Sequence, residues 1–178
     1  LRLAAELETR GFGPGTRCAV ILRNRPQHVA TVTALLASGH CITTINPFAA
    51  GAKVAADISA AAAPVLVVDE QDWTVPEIQA VAHEQGMACL CIRDDLTTPL
   101  RSMTDSDAPL GTGLRTNNEG IAIEMLTSGT TGEPKRVALS YEALESTICG
   151  GLKPEVVAGE LRLKPGPTIV YPPLVHIG

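Results

Sequence analysis

The sequence predicts an α/β fold in which helices cover both faces of a parallel sheet. In the first half of the 178-residue chain, short apolar segments rich in β-branched residues alternate with segments of helical periodicity. Parallel strands need long crossover connections, and the intervening helices supply them. We therefore expect a parallel sheet flanked by helices.

Four of the predicted strands lie in the first 95 residues. Each is a short run rich in Val, Ile, Leu, Ala or Cys. Because their apolar character is continuous, these strands are expected to be buried on both faces. They are predicted at 17–22, 41–45, 65–68 and 88–92.

The helices beside these strands are predicted from apolar residues at helical spacing. Gly11 can end the first helix in the left-handed conformation that favours glycine. Gly39 stops the second helix, and the third ends before Pro64. The buried faces are predicted to be Leu3 and Leu7, then Val29, Val32 and Leu36, then the alanine-rich run 52–63, and finally Ile78, Val81 and Ala82.

The composition changes at residue 97. Residues 97–118 are rich in Thr, Ser, Asp, Pro and Gly and show no period, which predicts a linker. This linker divides the chain into an α/β part at 1–96 and a second part at 119–178. The second part is expected to contain the segment that carries the chemistry.

Two predicted strands surround a glycine-rich segment in this second part. Alternating apolar residues predict one strand over 121–126 and a shorter one at 137–139. Ser140 can cap a following helix, and a further strand is predicted at 168–171. The glycine-rich segment therefore joins two strands.

The segment itself reads LTSGTTGEPKR over residues 126–136. Small residues allow backbone N–H groups to converge, hydroxyls add donors, and Lys135 supplies a mobile positive charge. These are the requirements for binding a polyphosphate. A Walker A loop is excluded, because Pro134 and Arg136 stand where that motif needs glycine and Ser or Thr.

Residues 127–135 resemble the phosphate-binding signature of the adenylate-forming superfamily, which includes acyl-CoA synthetases, luciferases and nonribosomal-peptide adenylation domains. Residues 44–47 (TINP) and 171–178 (YPPLVHIG) resemble two further segments of that family, in the same order along the chain. The resemblance implies a partial N-terminal domain of an adenylate-forming enzyme, most similar to an acyl-CoA synthetase.

The resemblance also implies a reaction. Such enzymes join a carboxylic acid to ATP in the presence of Mg²⁺, release pyrophosphate and pass the acyl group to an acceptor, here expected to be coenzyme A. It implies a catalytic role for Lys135 and a place for His176 beside the carboxylate. Nucleotide binding is expected from Thr127, Ser128, Gly129, Thr130, Thr131, Gly132 and Lys135.

Several alternatives stay open. Arg136 stands where the family usually has glycine, and it is expected either to contact phosphate or to narrow the route to the site. The family's adenine, ribose and late-lysine segments are not found in these residues, so the chain is expected to be an incomplete and inactive fragment. An amino-acid-activating adenylation domain and a non-catalytic nucleotide-binding module are the competing interpretations.

Charge and cysteine content exclude other classes. A net charge of -5 argues against nucleic acid or an anionic membrane as partner. No apolar run is long enough to span a bilayer. The five cysteines are expected to be buried and reduced, which favours the cytoplasm.

Asp69, Glu70 and Asp72 are interpreted as a solvated loop. Core surface left uncovered in a fragment is expected to favour a homo-oligomer.

Overall fold

The structure is a computed structural model that describes residues 2–95, 97–104, 114, 118–126 and 135–151. The strands in these ranges are β1 (Arg17–Ile21), β2 (Cys41–Ile45), β3 (Val65–Asp69), β4 (Ala88–Ile92), β5 (Leu100–Ser102), β6 (Ile121–Leu126) and β7 (Arg136–Ser140). The helices are α1 (Arg2–Thr9), α2 (Pro26–Ala37), α3 (Gly51–Ala61), α4 (Glu70–Trp73), α5 (Pro76–Glu84) and α6 (Tyr141–Gly151).

All seven described strands belong to one sheet, in the order β5-β4-β3-β1-β2-β6-β7. Strands β1 to β4 and β6 pair in parallel, whereas β5 and β7 pair antiparallel at the two ends of this order. The prediction of a parallel sheet is therefore confirmed, with an antiparallel strand added on each side.

Helices cover the two faces of the sheet, as predicted. On one face α1 and α2 bury Leu3, Leu7 and Leu35 against Val20 and Val67 of the sheet. The other face carries α3 and α5, which bury Ile58, Ile78, Val81 and Ala82 against the sheet. Continuous apolar strands thus lie between two buried layers, which is the arrangement that parallel strands require.

The predicted buried face of α2 is wrong in part. Val29 is 46% exposed, while His28, Thr31 and Leu35 are buried. The two polar side chains tolerate burial because each has a hydrogen bond: His28 Nδ1 accepts from the Arg23 amide, and Thr31 Oγ1 donates to the Gln27 carbonyl. Apolar periodicity alone therefore predicted a buried face of α2 that includes Val29, whereas the observed buried face includes the neighbouring residue His28.

The predicted linker contains a strand. Within residues 97–118, β5 pairs antiparallel with β4, with Leu90 opposite Ser102 and Ile92 opposite Leu100. Arg101 and Ser102 are exposed, as is typical of a polar edge strand, so no apolar alternation marked it. Beyond the linker, β6 returns to pair with β2 in the same sheet.

The strands around the glycine-rich segment are confirmed. β6 and β7 pair antiparallel, and Leu126 lies opposite Arg136 where the two strands meet residues 127–134. Ser140 caps α6 as predicted, since its Oγ accepts a hydrogen bond from the Ala143 amide at 3.1 Å. The strand predicted at 168–171 lies outside the described residues.

The four cysteines with described side chains are buried and free, as predicted: Cys18, Cys41, Cys89 and Cys91. Burial raises the pKa of the Cys89 thiol to about 12 and that of Cys91 to about 11. Among the described residues, no helix combines the length and the apolar character needed to cross a membrane.

Candidate functional site

The candidate site lies where β6 ends. Because β6 runs parallel to β2, its last residue, Leu126, lies at the same edge of the sheet as the carboxyl ends of β1 to β4. Ligands of open α/β sheets bind outside this edge. Lys135 is exposed immediately before β7. The other predicted site residues, namely Thr127, Ser128, Gly129, Thr130, Thr131, Gly132 and His176, lie outside the described residues.

A buried ion pair holds β6 in the sheet. Arg17 Nη2 on β1 lies 2.8 Å from Oε1 of Glu124 on β6. The same oxygen accepts a hydrogen bond from Asn118 Nδ2 at 2.9 Å, and Oε2 accepts one from Thr43 Oγ1 at 3.3 Å. Arg17 is 4% exposed and Glu124 8%. We name Arg17, Thr43, Asn118 and Glu124 the β6 anchor.

The β6 anchor spans three strands of the sheet. Arg17 belongs to β1 and Glu124 to β6, with Thr43 of β2 lying between them. Asn118 also donates to Cys41 Sγ at 3.2 Å. Burial raises the pKa of this thiol, and the hydrogen bond from Asn118 acts in the opposite direction. A charged pair in this position has little access to water, so most of its hydrogen-bond partners must be supplied by the protein.

Sequence reasoning missed the β6 anchor. A signal was present, because Glu124 interrupts an otherwise apolar strand, IAIEML. A lone carboxylate between buried residues requires a partner. That partner is 107 positions away in the sequence, and periodicity gives no means of finding it.

On the other side of residues 127–134, Arg136 contacts a helix. Arg136 begins β7, and its Nη2 donates to the carbonyl oxygen of Asp57 in α3 at 3.0 Å. The sequence left a phosphate contact and a narrowed route as alternatives for this arginine. The structure adds a contact that neither alternative includes, a hydrogen bond between the guanidinium and the backbone of α3.

Tyr141 directly follows β7 and connects that end of the β6–β7 hairpin to the residues between α2 and β2. Its Oη lies 2.7 Å from the His40 carbonyl oxygen and 3.1 Å from that of Leu36, so it donates to the turn between α2 and β2. Burial raises the pKa of the Tyr141 hydroxyl to about 12, which keeps it protonated and able to donate at neutral pH.

A second polar cluster lies at the carboxyl ends of β1 and β3. Arg23 Nη2 lies 2.5 Å from Asp72 Oδ1, and Arg25 Nη1 lies 3.2 Å from Asp69 Oδ2. His28 Nε2 lies 3.7 Å from the same Asp69 oxygen. We name these five residues the switch-point cluster, because the strand order reverses direction at β1.

The prediction of a solvated acidic loop is therefore wrong for Asp69 and Asp72, which are buried. Asp69 caps α4 by accepting from the Asp72 amide at 2.8 Å. Burial alone would raise the pKa of Asp69, but the His28 ring 3.7 Å away, the hydrogen bond from the Asp72 amide and the charge of Arg25 hold it below its usual range. Burial raises the pKa of Asp72, against the hydrogen bond from Arg23.

The other candidates in the described residues are a metal site and a ligand groove away from the end of β6. Among residues whose placement is described, no cluster of His, Cys, Asp and Glu side chains has the arrangement of a metal site. A largely apolar groove of about 470 Å³ lies between α1, α2, β4 and β5, lined in part by Ala30, Ala34, Ile92 and Leu100. Strands β3, β1 and β2 separate β4 from β6, so the groove is remote from residues 127–135.

Known proteins are similar to this chain in sequence. The 4-coumarate–CoA ligase CCL1 of Humulus lupulus is 27% identical over 153 residues, covering 83% of this chain and 27% of the ligase. The nonribosomal peptide synthetase opaA of Aspergillus ustus is 28% identical over 151 residues, covering 83% of this chain and 4% of the synthetase.

A solved structure has the same fold. The apo structure of MatB from Rhodopseudomonas palustris aligns with a TM-score of 0.61 and 25% identity, covering 82% of this chain and 28% of MatB. The ATP-bound structure of MatB aligns with the same TM-score at 24% identity, covering 82% of this chain and 29% of MatB. The chain therefore spans less than a third of the length of these relatives.

The family is decided by a match over the entire chain. The family model of the AMP-binding enzymes matches residues 1–178, which include the glycine-rich segment and both polar clusters. The relatives include acyl-CoA ligases and nonribosomal peptide synthetases, both of which are adenylate-forming. The chain belongs to the AMP-binding enzyme family.

Proposed function

We propose that this protein activates a carboxylic acid with ATP. The observation that supports this most is the β6–β7 pair, whose strands end at Leu126 and begin again at Arg136 on the carboxyl edge of the sheet, in a chain of the AMP-binding family. A carboxylate oxygen attacks the α-phosphorus of ATP. The bond from that phosphorus to the bridging oxygen breaks, giving an acyl-adenylate and pyrophosphate.

In this proposal the protein's main task is electrostatic, because an anionic acid approaches a polyanion. Backbone N–H groups and hydroxyls hold the β- and γ-phosphates, and the ammonium of Lys135 neutralises charge that develops on the leaving pyrophosphate. The side chain of Lys135 is exposed at the edge of the sheet, as this role requires. The residues proposed to bind the nucleotide are Thr127, Ser128, Gly129, Thr130, Thr131, Gly132 and Lys135.

Two further roles are proposed without assigned geometry. His176 borders the carboxylate of the acid. Mg²⁺ supplies additional positive charge to the phosphates when it is bound. The described residues contain no cluster that would hold the ion, and we assign none of them to it.

Coenzyme A is the proposed acceptor. Its thiol sulfur attacks the acyl carbonyl and AMP leaves, giving a thioester. Support comes from relatives whose names include CoA ligases of Humulus lupulus, Arabidopsis thaliana and Petroselinum crispum. Activation of an amino acid is the second candidate, because nonribosomal peptide synthetases match this chain at similar identity.

The test is ATP–pyrophosphate exchange by the full-length protein with separate aromatic, fatty and amino acids. We expect exchange that depends on the acid, followed by thioester formation when coenzyme A is added. Exchange with an amino acid and no thioester would favour the second candidate, and no exchange with any acid would contradict the proposal. Since the chain spans under a third of its relatives, exchange is expected to require residues outside it.

A further inference from the structure

The backbone pairing of β6 with β2 is short. The register between these strands is defined by Ile42 opposite Ile123 and Thr43 opposite Glu124. By contrast, β1 and β2 pair along their whole length, from Arg17 opposite Cys41 onward. The strand that leads into residues 127–134 therefore depends more on side-chain contacts for its position than the neighbouring strands do.

The β6 anchor supplies such contacts near the end of β6. Glu124 is two positions before Leu126, where the strand ends, and its carboxylate accepts from Arg17, Thr43 and Asn118. These donors come from three places: β1, β2 and the segment just before β6. A buried carboxylate held from three directions restricts movement of its strand both along and across the sheet.

Both ends of the 127–134 segment are connected to one helix. Arg17, the partner of Glu124, also donates from Nη1 to the Ala61 carbonyl at 3.3 Å, and Ala61 is the last residue of α3. Arg136, which follows the segment, donates to the Asp57 carbonyl one turn earlier in α3. A cation is favoured beside Ala61, because the last carbonyl groups of a helix lack helical partners, whereas Asp57 lies one turn earlier.

We propose that Glu124, Arg17 and Arg136 are positioning residues that hold β6 and the start of β7, the strands on either side of the phosphate-binding segment, against α3. This inference rests on the proposed function, since it assigns these residues a task in nucleotide binding. Fixing the two strand ends in advance reduces the rearrangement that binding of the polyphosphate requires. None of the three residues is assigned a contact with the nucleotide.

The inference can be tested with a variant that loses the positioning contacts but keeps its stability. Replacing a buried ion pair by apolar residues of similar size is often neutral for stability. The double variant Arg17→Met with Glu124→Leu is therefore expected to remain folded while losing the ion pair and the hydrogen bond from Arg17 to Ala61 of α3. We expect the KM for ATP in acid-dependent exchange to rise by about ten- to a hundredfold, with the KM for the acid unchanged.

Arg136 is tested by a matched pair of variants. Arg136→Met keeps the aliphatic stem and loses the donor, so the KM for ATP should rise severalfold. Arg136→Lys retains a donor for the Asp57 carbonyl and should restore part of the affinity. Lys53→Ala, an exposed change on the same helix, is the control and should leave the KM unchanged.

Hydrogen exchange provides a readout that does not depend on activity. In the double variant, amides of residues 121–126 and 136–140 should exchange faster than in the wild type, while those of β3 and β4 should not change. If the double variant does not fold, Glu124→Gln is used, because its amide oxygen still accepts from Arg17 but the charge is lost.

The possible outcomes are distinct. A raised KM for ATP together with faster exchange at β6 and β7 supports the inference. Wild-type KM and wild-type amide exchange in the variants would overturn it while the proposed function stands. If the wild-type protein shows no pyrophosphate exchange with any acid, the proposed function fails, and amide exchange alone decides whether these residues position the strands.

Discussion

The two halves of the sheet are stabilised in different ways. Strands β1, β3 and β4, the apolar half, lie between two buried aliphatic layers, and β3 pairs with β4 along its whole length. Strands β2, β6 and β7, the polar half, carry Glu124, whose partner Arg17 lies on β1, and the helix contact of Arg136, and no residue of β7 is fully buried.

This difference separates two requirements of the fold. Aliphatic burial is favourable in many packings, so the apolar half supplies stability without demanding a unique geometry. Buried polar groups are satisfied only in specific positions, so the contacts of Glu124 and Arg136 define where the facing ends of β6 and β7 lie. The candidate nucleotide site belongs to the half that is defined by directional contacts.

The largest expected loss of folding stability follows from a substitution in the apolar half. Leu66 of β3 is fully buried, and Leu66→Ala should lower the free energy of unfolding by about 2–5 kcal/mol. Leu139 of β7 is half-buried, so Leu139→Ala should cost clearly less. Urea unfolding of both variants measures the difference, and equal losses would contradict the division of the sheet.

The next effect concerns the switch-point cluster. Asp72→Asn replaces one of the two buried oxygens that accept from Arg23 by an amide nitrogen that cannot accept, so it should lower the free energy of unfolding by about 1–3 kcal/mol. Glu8→Gln, a change at an exposed carboxylate of α1, is the control and should have no measurable effect. If the midpoint of thermal unfolding shifts equally in both variants, the buried cluster contributes no more to folding stability than an exposed carboxylate does.

A smaller effect should appear at alkaline pH. Burial raises the pKa of Cys89 to about 12 in the folded protein, so the unfolded state loses this proton at lower pH than the folded state. The stability contributed by this group is complete below about pH 8.5 and is lost as the pH rises further. Cys91, with a pKa of about 11, acts in the same direction.

This pH dependence is measured by urea unfolding at pH 8 and pH 10. The wild type should be less stable at the higher pH. Cys89→Ala should be less stable than the wild type at pH 8, because it leaves a cavity, but its stability should fall less between the two values. An identical fall in both proteins would exclude the Cys89 thiol as a source.

The smallest expected effect is on the surface of α3. Lys53 Nζ lies 2.5 Å from Asp57 Oδ1, but the lysine side chain is exposed. Lys53→Ala should lower the free energy of unfolding by only about 0.3–0.5 kcal/mol, measured by urea unfolding at low salt. A loss as large as that of Asp72→Asn would show that solvent does not weaken this pair.

The sequence predicted most of the fold because the relevant patterns are local. Continuous apolar runs located β1 to β4, and helical spacing located α1, α3 and α5. The errors arose where a polar residue is buried or an edge strand is exposed. His28 and Thr31 occupy the buried face expected of Val29, and β5 shows no apolar pattern.

The site was predicted only in part. The motif at 127–135 indicated polyphosphate binding from residue types alone, and its flanking strands are confirmed. The contacts that hold those strands could not be predicted, because Arg17 and Glu124 meet only after β1, β2 and β6 pair. The same holds for Arg136 and Asp57, which are 79 positions apart.

The central claim is that residues 127–135 bind the phosphates of ATP in an adenylate-forming reaction. The most direct test compares ATP–pyrophosphate exchange in the full-length wild type, in Lys135→Ala and in the control Lys53→Ala. Loss of one charge-assisted hydrogen bond, about 1.5–3 kcal/mol, predicts exchange slowed about ten- to a hundredfold in Lys135→Ala alone. Wild-type exchange in Lys135→Ala would contradict the account.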